Sequence, residues 1–197
     1  MATLMTKHQV ISHFQSVFDG GLGRFYGKAH LDVDQSIPPV IMLLRCIPAS
    51  VRDRLDNELA MLEERGVIRK VTEPTSWVSG LVVAEKKNGA LRICIDPKLL
   101  NKALRRPIYP MPTMEDVLAK VSKARCFTVC DVKSGFWHVE LDKPSSLLTT
   151  FATPNGPYCW NRLPFGVSPA PEIFQMKLDE AIQGLSGVAR IVDDLLV

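Results

Sequence analysis

The order of strand-like and helix-like segments predicts an antiparallel α+β domain. Groups of strands are separated by single helices, whereas a doubly wound parallel sheet alternates one strand with one helix. The 197 residues are 46% hydrophobic, enough for one domain or two small lobes with a real core. Such a composition argues against disorder, because the chain can bury enough apolar surface to offset the entropy of ordering.

Two helices are predicted before residue 70. Residues 10–18 could form a short amphipathic helix. A second helix starts near Ser50, since Ser50 and Asp53 have the spacing of a helix cap and apolar side chains then recur at helical intervals. Gly66 supplies the stop of this helix.

A β-hairpin is predicted over residues 78–96. Apolar and polar side chains alternate along residues 91–96, as in a half-buried strand. Asn88-Gly89 suits the positive backbone angles of a tight turn. The stretch from Lys86 to Arg106 is strongly basic, and by itself such a block is as compatible with a solvated face as with a binding surface.

Further elements are predicted after three prolines at positions 107, 110 and 112. In chain order these are a helix over residues 113–121, capped at Thr113; strands at 126–132, 139–141 and 147–152; a turn at Asn155-Gly156; a helix from Ser168-Pro169 towards Gly184; and a final strand over 188–197. The chain stops within that last strand, which is therefore expected to leave an open sheet edge.

Three carboxylates interrupt apolar strand segments: Asp131, Asp193 and Asp194. A carboxylate in a strand core is costly unless it is paired, hydrogen-bonded or bound to a cation. If the two strands are neighbours, Asp131 and Asp193 come together, and oxygen ligands of this kind suit Mg²⁺ or Mn²⁺. Spacing alone slightly favours the other interpretation, an exposed turn at Asp193-Asp194 and a strand that simply ends at Asp131.

Cysteine usage and hydropathy indicate an intracellular protein. The five cysteines include no CxxC pair, and Cys94, Cys126 and Cys130 lie in apolar runs where they are expected to be buried. We therefore expect neither a disulfide framework nor a zinc site. No segment has the length of a signal peptide's apolar core or of a membrane span.

Taken together, a series of short motifs resembles the reverse transcriptases of gypsy-type LTR retrotransposons, over about residues 40–197. In chain order the motifs are LEERGVI at 62–68, EPTSWV at 73–78, LRICID at 91–96, LNK at 100–102, YPMP at 109–112, DVKSGFW at 131–137, TTF at 149–151, LPFG at 163–166, AP at 170–171, FQ at 174–175 and VDD at 192–194. The resemblance implies the fingers and palm of a right-hand polymerase, with an antiparallel palm sheet and packed helices. It divides the chain into a leader (1–47), fingers (48–112, with the hairpin at 78–96) and palm (113–197).

The resemblance also implies a two-metal site. Asp131 and Asp193 would bind two Mg²⁺ or Mn²⁺ ions, the Val132 carbonyl would assist, and Asp194 would support the site as a third catalytic carboxylate. The implied activity is RNA-directed DNA polymerisation, in which a dNTP is joined to a primer 3′-OH on an RNA or DNA template.

Further roles follow from the same resemblance, position by position. The residues implied for dNTP binding are Lys86, Lys87, Arg92, Phe136, Phe165 and Gly166. Phe136 matches the aromatic residue that blocks a ribose 2′-OH, and core packing is the other role open to it. The residues implied for template and primer are Lys98, Asn101, Lys102, Arg105, Arg106, Pro164 and Ile191.

Two positions depart from the family pattern. Ile191 stands where relatives carry an aromatic residue before the aspartates, and Arg190 stands where they usually carry an apolar strand residue. A charge at Arg190 must either find a carboxylate or destabilise the strand. The family also continues after the aspartates with the rest of the palm, the thumb, the connection and RNase H, which would be the missing partners of this chain.

Three functional hypotheses remain open on the sequence. The first is a reverse transcriptase module that acts on template-primer and dNTPs in the cytoplasm, within a virus-like particle, or in the nucleus. The second is an inactive retrotransposon remnant or partial gene product that at most binds nucleic acid. A weaker third is another palm-type enzyme such as a nucleotidyl cyclase, for which the fingers motifs would have no purpose.

Overall fold

The computed structural model describes residues 5–44, 46–85, 89–121, 127–191 and 194–197. The elements in chain order are α1 (Lys7–His13), α2 (Gln15–Phe18), β1 (Lys28–Ala29), α3 (Ala49–Glu64), β2 (Ile68–Lys70), β3 (Gly80–Glu85), β4 (Leu91–Asp96), α4 (Lys98–Ala103), α5 (Met114–Val121), β5 (Val129–Asp131), a 3-10 turn (Gly135–His138), β6 (Glu140–Leu141), α6 (Lys143–Leu148), β7 (Phe151–Thr153), β8 (Gly156–Trp160), α7 (Ala170–Ile182), β9 (Ala189–Ile191) and β10 (Asp194–Leu196).

The three larger sheets are antiparallel, as predicted for an α+β domain. They are the β3–β4 hairpin, a sheet in the order β2-β8-β7, and a sheet in the order β5-β10-β9. A short parallel pair joins β1 to β6. The predicted turns at Gly89 and Gly156 are confirmed, because both glycines have positive φ, +82° and +102°.

One apolar cluster connects the helices to the sheets. Leu55, Leu59 and Leu62 of α3 are buried at helical spacing, as the sequence predicts. Phe174 of α7 and Trp160 of β8 are also fully buried and belong to the same cluster. Helices α3, α4 and α7 therefore share one core with the β3–β4 hairpin and the β2-β8-β7 sheet.

Two predicted helix starts are wrong and one is confirmed. The segment 10–18 is two short helices, α1 and α2, that meet at Phe14. Ser50 does not cap α3, which begins at Ala49 after Pro48 with no side-chain cap, so Ser50 already lies in the first turn. The cap at Thr113 is confirmed: the Thr113 amide donates to the Asp116 carboxylate, and the Asp116 amide donates to the Thr113 hydroxyl.

The predicted strand at 147–152 is partly a helix. Residues 147 and 148 end α6, and the strand β7 starts only at Phe151. Helix α6 forms because the Asp142 carboxylate accepts the Ser145 amide and Pro144 occupies the first turn, where its missing N–H costs nothing. Helix α4 was also not predicted.

The last segment, 188–197, holds two strands instead of one. Strand β10 lies between β9 and β5, so the expectation that the final strand forms an open edge is wrong for the described sheet. The edges of that sheet are β5 and β9. Strand β5 is correspondingly not buried: Val129 is 63% exposed and Cys130 is an exposed free thiol, contrary to the expectation of a buried run.

The other described cysteines, Cys46, Cys94 and Cys159, are free thiols as well. Cys94 is half-buried and Cys159 is buried, and Cys126 lies outside the described residues. Within the described part of the chain, no helix is both long enough and apolar enough to cross a membrane.

We predict that the stability contributed by Asp142 depends on pH. Partial burial acts to raise the pKa of the Asp142 carboxyl, but hydrogen bonds from Ser145 and His30 outweigh it and hold that pKa below its ordinary value. A lowered pKa means that the ionised group stabilises the fold above about pH 4 and that this contribution is lost as the pH falls through the native pKa. Asp142→Ala should lower the free energy of unfolding near pH 7 by about 1 kcal/mol.

Urea unfolding at several pH values checks this prediction. Asp142→Asn is the matched control, since Asn caps a helix as well as Asp does but cannot titrate. The stability of the Asn variant should vary less with acid pH than that of the parent chain. Equal pH dependence in the two proteins would contradict the prediction.

Candidate active site

The register between β5 and β10 brings two of the predicted carboxylates together. Asp131 and Asp194 are direct cross-strand partners, and both are exposed. Directly opposite residues have Cβ atoms about 5 Å apart, a distance at which like charges repel. Water can screen such a pair, and a bound cation would neutralise it. Asp193, predicted as the main partner of Asp131, lies outside the described residues.

A cavity of about 280 Å³ opens beside Asp131. It is lined by five predicted site residues, namely Arg92, Asp131, Val132, Phe136 and Phe165. These residues come from the hairpin strand β4, from β5 and the turn after it, and from the loop before α7. Positions up to 73 residues apart in sequence therefore line one cavity.

Aromatic rings form the wall of this cavity. The centroids of Phe136 and Phe165 are 4.9 Å apart, and those of Phe136 and Phe174 are 5.4 Å apart. The Arg92 guanidinium carbon lies 5.0 Å from the centroid of the Phe165 ring, within the range of a cation–π contact. The contact joins the hairpin to the loop before α7 and leaves Arg92 exposed at the cavity.

The turn after β5 is tightly constrained. Ser134 has a positive φ of 56°, which is uncommon for a residue other than glycine. A Cβ on the next residue, Gly135, would lie 2.8 Å from the Phe174 ring. Only glycine fits this close approach, and the approach turns Phe136 towards the cavity. The sequence signal for it was the Ser-Gly pair that follows Asp131.

Asn101 holds the loop that carries Phe165 and Gly166. Its side-chain amide donates to the Gly166 carbonyl at 2.9 Å, and its side-chain oxygen accepts the Ser168 amide at 2.8 Å. This contact is a structural function for a residue predicted to contact the template. Pro164, in the same loop, is buried, whereas Lys98 and Lys102 are exposed on α4.

The two arginines of the predicted template surface form ion pairs. Arg105 lies 3.7 Å from an Asp32 carboxylate oxygen and 3.9 Å from one of Asp34. Arg106 donates through two nitrogens to Glu172, a buried residue of α7. Their roles in template binding remain predictions, and any such role would act through guanidinium groups that are already paired.

The tip of the hairpin is supported by a residue that the sequence did not single out. Arg54 of α3 donates to the Glu85 carboxylate at 2.9 Å and to the Gly89 carbonyl at 2.5 Å, on either side of the turn. Lys86 and Lys87 lie outside the described part of the chain, as does the Ile191 side chain. A lone arginine on a charged helix carries no signal of such a contact.

Comparison with known proteins assigns the chain. Residues 84–197 match the family described as reverse transcriptase (RNA-dependent DNA polymerase). The chain belongs to the reverse transcriptase family. Among its relatives, an uncharacterized protein of Caenorhabditis elegans is 35% identical over 188 residues, covering 93% of this chain and 15% of that protein. The enzymatic polyprotein of Cauliflower mosaic virus (strain Strasbourg) is 37% identical over 149 residues, covering 74% of this chain and 22% of the polyprotein.

Solved structures agree with the fold of this reverse transcriptase chain. The protease-reverse transcriptase of prototype foamy virus superposes with a TM-score of 0.81 at 20% identity, covering 97% of this chain and 26% of the viral one. The expectation of polymerase fingers and palm is therefore confirmed at the level of fold. Because the chain spans only 15 to 22% of these two relatives, it corresponds to one part of much longer proteins.

We predict that Gly135→Ala destabilises this reverse transcriptase chain by about 1–3 kcal/mol, because the new methyl group overpacks against Phe174. Chemical denaturation measures the change. Gly21→Ala is the matched control, since its new Cβ would meet only the flexible Asp19 side chain. Equal losses in the two variants would show that the contact with Phe174 is not the cause.

We also predict that Arg54→Ala loosens the hairpin tip. Loss of both hydrogen bonds should speed amide hydrogen exchange in residues 85–91, while the exchange of β8 stays unchanged. The exposed ion pair itself contributes only about 0.2–1 kcal/mol, so global stability should change little. Arg52→Ala, an exposed arginine of the same helix, is the control and should leave the tip unaffected.

Proposed function

We propose that this chain is the fingers-and-palm part of an RNA-directed DNA polymerase of the gypsy-type LTR retrotransposon lineage. It would transfer a nucleotide from a dNTP to a primer 3′-OH on an RNA or DNA template and release pyrophosphate. The observation that carries the proposal is the β5–β10 register, which places Asp194 opposite Asp131, a residue that lines a cavity together with Arg92 and Phe136. The family assignment supplies the reaction class.

The donor set around Asp131 fits divalent cations. Carboxylate oxygens, with the backbone carbonyl of Val132 beside them, are the ligands that Mg²⁺ and Mn²⁺ prefer. Within the described residues no group of three His, Cys, Asp or Glu side chains forms a metal cluster, and the third carboxylate, Asp193, lies outside them. We propose that Asp131, Asp193 and the Val132 carbonyl hold two ions, supported by Asp194. When bound, such ions lower the pKa of an attacking hydroxyl and stabilise a leaving pyrophosphate.

The side chains around the cavity would bind and orient the nucleotide. The Arg92 guanidinium can grip triphosphate oxygens in a bidentate manner, with Lys86 and Lys87 assisting from the hairpin tip. The Phe136 ring would occupy the space that a ribose 2′-OH requires and so favour deoxynucleotides. Phe165 and Gly166, with Pro164 beneath them, would lie under the new base pair.

Nucleic acid is the proposed macromolecular partner. One structural neighbour, a foamy viral protease-reverse transcriptase, was solved in complex with an RNA/DNA hybrid, and another was solved with double-stranded DNA. For this chain, exposed Lys98 and Lys102 would contact template phosphates with a strong dependence on salt. Arg105, Arg106, Asn101 and Ile191 would complete this surface. The thumb, connection and RNase H segments would be supplied by the longer protein, which would act inside the cell.

Primer extension tests the proposed function. The chain joined to the downstream segment of a relative should extend oligo(dT) on poly(rA) with Mg²⁺ or Mn²⁺, and Asp131→Asn or Asp193→Asn should abolish extension. Asp53→Asn, an exposed carboxylate of α3, is the control and should extend normally. Phe136→Ala should increase the use of ribonucleotides.

Three outcomes would contradict the proposed function. One is a folded fusion that does not extend primers even with Ile191→Tyr, which would favour an inactive remnant. The second is extension that survives loss of Asp131. The third is synthesis that proceeds without template, which would place the chain in another nucleotidyl-transferring class.

A further inference from the structure

Arg190 lies on the opposite face of the sheet from the paired aspartates. Successive residues of a strand point to opposite faces, and cross-strand partners point to the same face. Asp131 and Asp194 are partners, whereas Arg190 is the partner of Leu195, whose other partner is Cys130. The guanidinium therefore points away from the carboxylates, towards the core against which Leu195 packs.

Arg190 finds its carboxylate on that buried face. Its Nε and Nη2 atoms donate to the two carboxylate oxygens of Asp179 in α7, a bidentate pair of the kind that fixes both distance and orientation. The Arg190 side chain is 13% exposed and that of Asp179 is 28% exposed. The charge that looked out of place in the strand is thus largely withdrawn from water and neutralised.

A third residue completes the group. The Tyr109 hydroxyl donates to the same Asp179 carboxylate. The hydrogen bond to Asp179, assisted by burial and by the negative charge there, raises the pKa of Tyr109, so this hydroxyl stays protonated and remains a donor. Asp179 thereby holds both the strand β9 and the segment that leads into α5.

Helix α7 bonds to the segment 106–109 through two of its acidic side chains. Glu172 pairs with Arg106, and Asp179 bonds Tyr109, and these acids are two helical turns apart on one face of α7. The helix itself is anchored in the core by Phe174. Residues 106–109 and β9 are consequently both joined to α7 by side-chain bonds.

We propose that Arg190 is a positioning residue. Its pair with Asp179 fixes where β9 lies on α7, which we call the seating of β9. Because β9 pairs with β10, this seating also fixes the position of Asp194 in β10 relative to Asp131. The expected effect on catalysis rests on the proposed polymerase function. The seating of β9 does not depend on that function. Asp179→Asn leaves the Arg190 charge half-paired in a buried place, so it should release β9. Replacing the whole group by apolar residues, with Arg190→Met, Asp179→Leu and Tyr109→Phe, removes the charge as well as the bonds and should restore much of the seating.

Hydrogen exchange on the 197-residue chain tests the seating without any activity. In Asp179→Asn, amides of β9 and β10 should exchange on the order of tenfold faster, while those of β3 and β4 keep their rates. Glu180→Gln removes a neighbouring carboxylate of α7 that pairs with Lys177 and should change nothing in β9 or β10. Unchanged β9–β10 exchange in Asp179→Asn would overturn the proposal, and so would a uniform increase across the chain.

Steady-state kinetics of the chain joined to a relative's downstream segment test whether the position of β9 affects catalysis. A misplaced aspartate strand should lower kcat by about 100-fold with little change in KM for dNTP, and the apolar triple variant should regain at least part of that loss. A loss confined to KM, or no loss despite faster exchange, would overturn the positioning role. Asp131→Asn in the same assay distinguishes failure of the proposed function from failure of the seating hypothesis. Activity that survives Asp131→Asn would refute the proposed function. The hydrogen-exchange result alone would then decide whether the Arg190–Asp179 pair positions β9.

Discussion

The antiparallel pairing of β5 with β10 is the constraint on which the site depends. It sets Asp131 opposite Asp194, so the backbone bonds that hold the sheet also hold two negative charges together. The repulsion is tolerable because that face of the sheet is open around the carboxylates: Val129, Asp131 and Asp194 are all exposed. The opposite face supplies the stabilisation, since Leu195 packs against the core and Arg190 pairs with Asp179. Contacts on the Leu195 face therefore stabilise the sheet, while the two carboxylates on the other face repel each other.

Side chains of helix α7 position the segments around these carboxylates. Its Phe174 contacts Phe136 and leaves room for no side chain at position 135, which fixes the turn that follows Asp131. Its acids hold Arg106, Tyr109 and Arg190. One helix therefore supports the turn that carries Phe136 and, through Arg190, the strand next to β10, so disturbing α7 should affect the site more than disturbing the exposed helices α1 and α2, which bury no residue.

Local signals predicted the parts of the fold that local chemistry decides. Gly89 and Gly156 mark turns because their positive φ disfavours a Cβ, and the alternation along β4 is a direct consequence of its half-buried face. Helix α6 was not predicted, although Asp142 caps it and Pro144 lies in its first turn. The exposure of β5 and the partner of Arg190 depend on which elements pack together, and a single sequence carries no record of that. Motif resemblance named Arg92, Phe136 and Phe165 as neighbours of Asp131, but only the structure shows that Asn101 holds their loop.

In the proposed polymerase, the contact between Arg92 and Phe165 would prepare the cavity for an anionic ligand. A guanidinium that interacts with a ring through its face keeps its in-plane N–H groups available for phosphate oxygens. In that proposal Arg92 would stay against Phe165 while it binds a ligand, so little side-chain entropy would be lost on binding. The ring is itself fixed by Phe136, which Phe174 supports from the core. The hairpin that carries Arg92 is thus oriented by the same aromatic chain that orients the turn after Asp131, and the cationic and anionic sides of the cavity are set by one set of contacts.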